Sequence, residues 1–265
     1  AYYGLKQIAT SPRKGIKTLL GTEKVTSHDV MFKLAPRINA AGRIEEATTA
    51  LKLLLTEDEE EAAALADKLD SFNVKRQETE AAIVEEAINR IENDDSLKYS
   101  KVLVVDGENW HSGVIGIVAS KLVDKYGKPV MVIAREGNGE AKGSCRSIEG
   151  FSLFDALTDA RDLLVRFGGH TLAAGFTVRE DMIESFRQHI NEYADKLDKF
   201  YPVLNLDCRI NPAKIDLNFV ESLCSLEPFG AENPQPMFGI YNVVLKSVKA
   251  IGAKLNHTRI TFEKK

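Results

Sequence analysis

The sequence predicts an α/β protein in which a long helix leads into a mixed sheet with packed helices, followed by a β-rich unit. Three observations carry this expectation. Residues 56–95 contain no glycine or proline and bear one narrow apolar stripe on a charged rod. Beyond Leu97, β-branched runs alternate with amphipathic stretches: KVLVVD (101–106), PVMVIA (129–134) and AAGFTV (173–178). After Leu204 come two strand-like runs, YNVVLKSVKA and HTRITFEKK.

From the N-terminus, GLKQIA and GIKTLLG read as helices separated by a break at Ser11 and Pro12. A further helix is expected from Ser27 into FKLA, interrupted by Pro36. EEATTALKLLL forms another after the small residues at 40–42. In the long segment Thr56 is the expected cap, with Glu57, Asp58 and Glu59 at the positive end of the helix dipole. Leu65, Leu69, Phe72, Thr79, Ile83, Ala87 and Ile91 recur at steps of three, four or seven. About 38 residues at 1.5 Å rise would span roughly 57 Å, a length that suits a connection between domains. Two shorter helices with a turn near 71–73 are the alternative. Residues 113–127 read as a helix with a glycine stop, and EGNG (136–139) as a hairpin turn into EAKGSCRS. FSLFDALTDARDLLVRF (151–167) reads as an amphipathic helix and 180–197 as a closing helix. The expected divisions are therefore 1–55, 56–95, 96–203 and 204–265.

With 265 residues, 44% hydrophobic and 28% charged, the chain can bury a sizeable core. No apolar run approaches the ~20 residues of a membrane span. The sequence opens on AYYGLKQIATSP, with no secretory pattern, and reads as the interior of a longer protein. Cys145, Cys208 and Cys224 are far apart and outside any CxxC, which suits a reducing, cytoplasmic setting and no structural zinc. Net charge is −4, but its distribution is uneven. Residues 56–95 hold 14 acidic and 4 basic side chains, whereas residues 1–55 hold 9 basic and 4 acidic. A basic arm beside an acidic segment can attract polyanions locally.

Four stretches could carry chemistry. In RFGGHTLAAGF, Gly168 and Gly169 admit close approach to the backbone, and His170 adds a donor tunable near neutral pH. Such a junction suits an anion, or else it is a glycine helix stop followed by a partly buried histidine. In GSCRS, Arg146 offers a planar fork and Ser144 a hydroxyl for phosphate, unless Arg146 is simply a solvated edge-strand residue. In PRINAAGR, Arg37, Asn39 and Arg43 flank small residues, so guanidinium groups could meet an anion against exposed backbone. The bland alternative there is a proline-broken helix and a solvated turn. The loop with Trp110 and His111 lies between a strand and a helix, where α/β folds tend to bind ligands. Trp110 could stack on a base, although packing against the core is favoured. His28 and Asp29 are a weak metal signal, and no other cluster has metal-site spacing.

Taken in order, FKLAPRINAAGRI, WHSGVIGIVASKL, GSCRS, FGGHTLAAGF and LEPFGAENPQPMF resemble the RecJ family of bacterial single-strand-specific 5′→3′ DNA exonucleases, within the DHH phosphoesterase superfamily. The resemblance covers essentially the whole chain. It implies the tail of a catalytic DHH domain (1–55), a long connecting helix (56–95), a DHHA1-type mixed sheet (96–203) and the start of an OB-fold (204–265). It also implies two-metal phosphodiester hydrolysis with Mn²⁺ or Mg²⁺ in DNA repair and recombination. The name-giving Asp-His-His triplet is absent from this sequence, so the metal ligands are expected upstream and this chain alone is expected to be inactive. By resemblance, His170 is the catalytic residue of this chain, stabilising the substrate phosphate with Gly168 and Gly169 beside it, and Ser144 and Arg146 hold the 5′ end. Arg37, Asn39 and Arg43 line the cleft, with Trp110 and His111 on the neighbouring loop. Phe167 stands where relatives often carry a first glycine, and Glu232 where PFGxGNP has one. Expected partners are single-stranded DNA, a single-strand-binding protein and a RecQ-type helicase, with the chain a monomer and no membrane. Rival readings are an oligonucleotide or cyclic-dinucleotide phosphodiesterase, and a non-catalytic module related to a domain of alanyl-tRNA synthetases.

Overall fold

The computed structural model describes residues 1–21, 25–137, 139–198, 200–253 and 255–264. The chain divides into two compact units, one of Gln7–Val203 and one of Leu204–Lys265 with Ala1–Lys6.

Helices α1 (Tyr2–Thr10), α2 (Lys14–Leu20) and α3 (Ser27–Asp29) lead into one π-helical turn, Val30–Leu34. Helices α4 (Ala35–Ile44) and α5 (Thr48–Leu55) follow. Pro36 does not break this region. It occupies the first turn of α4, where its missing N–H leaves no bond unmade, and the Ala35 N–H closes the wide turn on Val30 O. PRINAAGR is therefore helical, and its Ala40 and Ala41 are buried rather than presenting exposed backbone.

Helix α6 (Glu59–Asn93) is continuous through 71–73, and its 35 residues extend about 52 Å. The cap is Asp58, which accepts the Glu61 N–H at 2.7 Å; Thr56 instead bonds the Glu61 carboxylate. The stripe buries Leu69, Phe72, Ile83, Ala87 and Ile91 as expected, with Ala62 and Ala66. At the middle it buries Glu80 rather than Thr79, because Arg76 and Lys121 both pair with that carboxylate. The N-terminal half of α6 packs under α2, α4 and α5, around Leu19, Leu53 and Leu69. Its C-terminal half joins a second core, so one helix anchors both layers.

After α7 (Asp95–Lys98) comes a five-stranded sheet of β1 (Leu103–Glu108), β2 (Val130–Arg135), β3 (Glu140–Arg146), β4 (Leu164–Gly169) and β5 (Ala173–Arg179), in the order β1-β2-β3-β5-β4. β1 and β2 are parallel across helix α8 (Ile115–Tyr126), which ends on Gly127 at φ 61°; the other pairs are antiparallel. Helices α9 (Leu153–Asp159) and α10 (Ile183–Asp195) cover one face, burying Phe151, Leu157, Phe186 and Ile190 against Val104, Ile133 and Cys145. α8 and α6 cover the other face over Leu103, Val105, Val130 and Val132. Asn138 of the EGNG turn lies outside the described residues.

The expected helix over 151–167 ends at Asp159. Leu164–Gly169 is an edge strand, with Phe167 opposite Phe176 and Gly168 opposite Gly175. Its apolar spacing fits a helix locally, but pairing with β5 satisfies its backbone and turns Phe167 toward Phe154 and the core. Gly168, Gly169 and His170 thus belong to a hairpin, not to a helix–strand junction.

In the other unit, β6 (Cys208–Arg209) pairs with β7 (Phe238–Gly239), and β8 (Val243–Ile251) with β9 (His257–Lys264), beside α11 (Leu217–Cys224). These are the strands of an OB-like region. Among the described residues no helix is long and apolar enough to cross a membrane.

Candidate phosphate-binding cleft

Strand alternation decides which side chains share a face. On β3, Ala141 and Cys145 turn into the core beneath α9 and α10, so Lys142, Ser144 and Arg146 turn the other way. α8 lies over β2 and β3 on this second face. Beyond it, β5 and β4 bound a cleft of about 510 Å³. Its lining includes Ser112, Gly113, Lys142, Ser144, Arg166, Gly168, Gly175 and Thr177.

The register arranges this floor in rows. Ser144 faces Gly175, which faces Gly168. Arg146 faces Ala173, whose carbonyl accepts the His170 N–H at 2.8 Å. Lys142 faces Thr177, which faces Arg166. The Arg146 guanidinium donates to Cys145 O at 2.7 Å and to Ser144 Oγ at 3.4 Å, which holds it over the serine. Cys145 itself points away and is fully buried, and burial pushes its thiol pKa up, so it offers no nucleophile.

The two glycines differ in purpose. Gly169 has φ 149°, and a Cβ there would come within 2.5 Å of Ala174 Cα, so the hairpin itself requires glycine. A Cβ on Gly168 would meet nothing within 4 Å. The fold does not need glycine at 168, and its absent side chain leaves the cleft floor bare. His170 is exposed at the turn, and the loop behind it is pinned by the Ser147 N–H to Leu172 O and the Leu153 N–H to Thr171 O.

At the rim, the Arg43 guanidinium donates to Gly113 O at 3.0 Å, and His111 Nδ1 accepts the Gly113 N–H at 3.1 Å. That bond leaves a neutral His111 with its proton on Nε2. Of the expected site residues Ser144 and Gly168 line the cleft itself; Arg146, Gly169, His170, Arg43 and His111 lie outside its lining, and Arg37 and Asn39 are not brought to it. Arg37 pairs with Asp70 at 2.6 Å and donates to Leu19 O, which ties α4 to α6 and α2; Asn39 is exposed on α4.

Trp110 is not a stacking platform. It is 4% exposed, and its indole N–H donates to Glu86 at 2.8 Å. Arg90 lies over the ring and also binds Glu86. The Trp110 hydrogen bond, then Arg90, holds the Glu86 carboxyl below its ordinary pKa.

Lys142, Arg166 and Thr177 escaped the sequence reading. Lys142, Ser144 and Arg146 recur with the strand period and could have been grouped. Arg166 was hidden because its segment reads as helix. Among the described residues no three His, Cys, Asp or Glu side chains gather to hold a metal. Asp29 is committed to Lys33 and Thr26, and His28 stacks on Phe32. The guanidinium, ammonium and hydroxyl donors that Arg166, Lys142 and Ser144 bring to the cleft suit phosphate oxygens.

Residues 94–196 match the DHHA1 domain family and residues 206–265 the RecJ OB domain family. The single-stranded-DNA-specific exonuclease RecJ of Bacillus subtilis is 38% identical over 271 residues, covering 99% of this chain and 34% of that protein. The crystal structure of Thermus thermophilus RecJ with Mn²⁺ superposes with a TM-score of 0.83 at 33% identity, covering 94% of this chain and 37% of that one. The same protein with Mg²⁺ gives 0.80 at 34% identity, with 93% and 38% covered. This chain therefore spans little more than a third of the length of these relatives. The long helix, a DHHA1 sheet and an OB region follow one another along this chain, and the chain belongs to the RecJ family.

Proposed function

We propose that this chain is the substrate-binding portion of a single-stranded-DNA-specific 5′→3′ exonuclease, and that its cleft receives the strand's 5′-phosphate. The observation that carries this reading is the register placing Ser144 and Arg146 beside Gly175, Gly168 and the His170 turn. A guanidinium and a hydroxyl can donate together to phosphate oxygens. The bare floor at Gly168 lets those oxygens approach the backbone, and the exposed His170 imidazole adds a further N–H donor from the hairpin turn. Arg43 and His111 sit on the rim next to Gly113, where they can meet the following nucleotide.

On this reading residues 1–55 are the tail of the catalytic DHH domain. Mn²⁺ or Mg²⁺ would activate the attacking water, held by aspartates and histidines outside these 265 residues, and His170 of this chain would stabilise the substrate phosphate. The wider role is DNA repair and recombination in the cytoplasm, alongside a single-strand-binding protein and a RecQ-type helicase, and it rests on family membership.

The test is fluorescence anisotropy of the chain with single-stranded DNA carrying a 5′-phosphate or a 5′-hydroxyl, at two salt concentrations. The expected result is a 5′-phosphate preference that Arg146→Ala weakens by about tenfold or more. Equal, strongly salt-dependent binding to both ends would overturn it, because only nonspecific backbone attraction would remain.

A further inference from the structure

The sheet face that floors the cleft carries a cationic row inside the cleft and another beyond its edge, and one phosphate cannot engage both. Arg146 and His170 stand at one end, Lys142 and Arg166 at the other. Lys142 and Arg146 are four residues apart on one strand, about 13 Å at ~3.3 Å per residue. On the sheet between them lie Ser144, Gly175 and Gly168, which present nothing larger than a hydroxymethyl, while Ile115 of α8 lines the same cleft from the side.

The lower row is built rather than incidental. Thr177 is 4% exposed, and its Oγ1 accepts Arg166 Nε at 3.2 Å, which fixes the plane of the guanidinium. The Nη edge of such a guanidinium forks onto phosphate oxygens. Across the Thr177 backbone, Lys142 adds a point charge, paired with Glu136 at 3.2 Å and half-exposed, so it can turn to an anion. The whole row lines the same cleft as Ser144 and Gly168.

We propose that Lys142, Thr177 and Arg166 form a second phosphate subsite, which holds an internal phosphate of a strand whose 5′-phosphate lies at Ser144 and Arg146. This rests on the reading of the cleft given above. It makes the ligand a phosphodiester chain rather than a mononucleotide. The separation of the rows means that the bound internal phosphate is not the one adjoining the terminal phosphate.

The experiment measures binding of 5′-phosphorylated oligothymidylates in which one linkage at a time is a neutral methylphosphonate. The wild-type chain is compared with the double variant Lys142→Ala, Arg166→Ala. Wild type should lose about tenfold in affinity at one internal linkage beyond the first. The double variant should be indifferent to that linkage yet still prefer a 5′-phosphate. An unchanged linkage profile in the variant, with the 5′-phosphate preference intact, overturns the second subsite alone. Absence of that preference in wild type overturns the underlying reading of the cleft. Both substituted side chains are solvent-accessible, and matching thermal midpoints establish that the variant is folded.

Discussion

The Arg43 guanidinium donates to the Gly113 carbonyl oxygen at 3.0 Å, and the Arg43 carbonyl oxygen lies 2.3 Å from where a Gly113 Cβ would stand. Two backbone positions 70 residues apart are thereby locked, α4 against the loop that opens the cleft. Gly113→Ala should cost about 1–3 kcal/mol, because the obstructing atom is backbone and cannot swing away. Calorimetry should show the thermal midpoint fall by several degrees. A midpoint within about a degree of wild type would mean that the loop yields freely and the lock is not one.

Gly168 and Gly169 should respond in opposite ways to alanine. Gly169→Ala forces a methyl onto Ala174 at positive φ and should destabilise by at least about 2 kcal/mol in urea unfolding. Gly168→Ala should change stability by less than about 0.5 kcal/mol, since the methyl meets only open space. It should nevertheless weaken binding of a 5′-phosphorylated strand by covering the trough. Unaltered binding would remove Gly168 from the site.

Glu86 should give a pH-dependent contribution to stability. Its carboxyl pKa is lowered from 4.5 in the folded chain, so stabilisation is present above that value and lost as pH falls through the folded pKa. Glu86→Gln should cost about 1 kcal/mol at pH 7, a charged hydrogen bond discounted for partial exposure. The gap between the two proteins should close in acid. Unfolding can be followed by the fluorescence of Trp110, the one tryptophan in the sequence. A gap that persists unchanged at pH 3 would show that the Glu86 charge contributes nothing.

Continuity of α6 through Ser71 makes that position intolerant of proline. Ser71→Pro should cost about 3 kcal/mol and reduce helical ellipticity in far-UV circular dichroism. A cost below about 1 kcal/mol would point to a natural break there, as two separate helices would have.

The long helix was legible because its signals are local: no breaker between Thr56 and Asp95, an acidic first turn and a 3.6-residue stripe. The Gly127 stop of α8 and the β-branched runs of β1 and β2 were legible for the same reason. Strand β4 was not. Leu157, Leu164 and Phe167 keep a helical spacing in the sequence, and only a partner strand arriving later, Ala173–Arg179, turns Leu164–Gly169 into an edge. Pro36 misled similarly, because a widened turn just before it lets the helix restart with proline in its first turn.

Residue chemistry in the sequence marked Ser144, Arg146, Gly168, Gly169 and His170 as phosphate candidates, and motif order pointed to the family. Whether those residues meet was decided by strand register, a long-range property. Register brought Ser144, Gly175 and Gly168 into one row and recruited Lys142, Thr177 and Arg166 beside them. Burial took Trp110 away from any ligand: it belongs to the core that holds Ile83 and Val105, and its indole N–H is spent on Glu86. Side-chain type sets what a group can bind; the backbone pairings of distant segments set what it can reach.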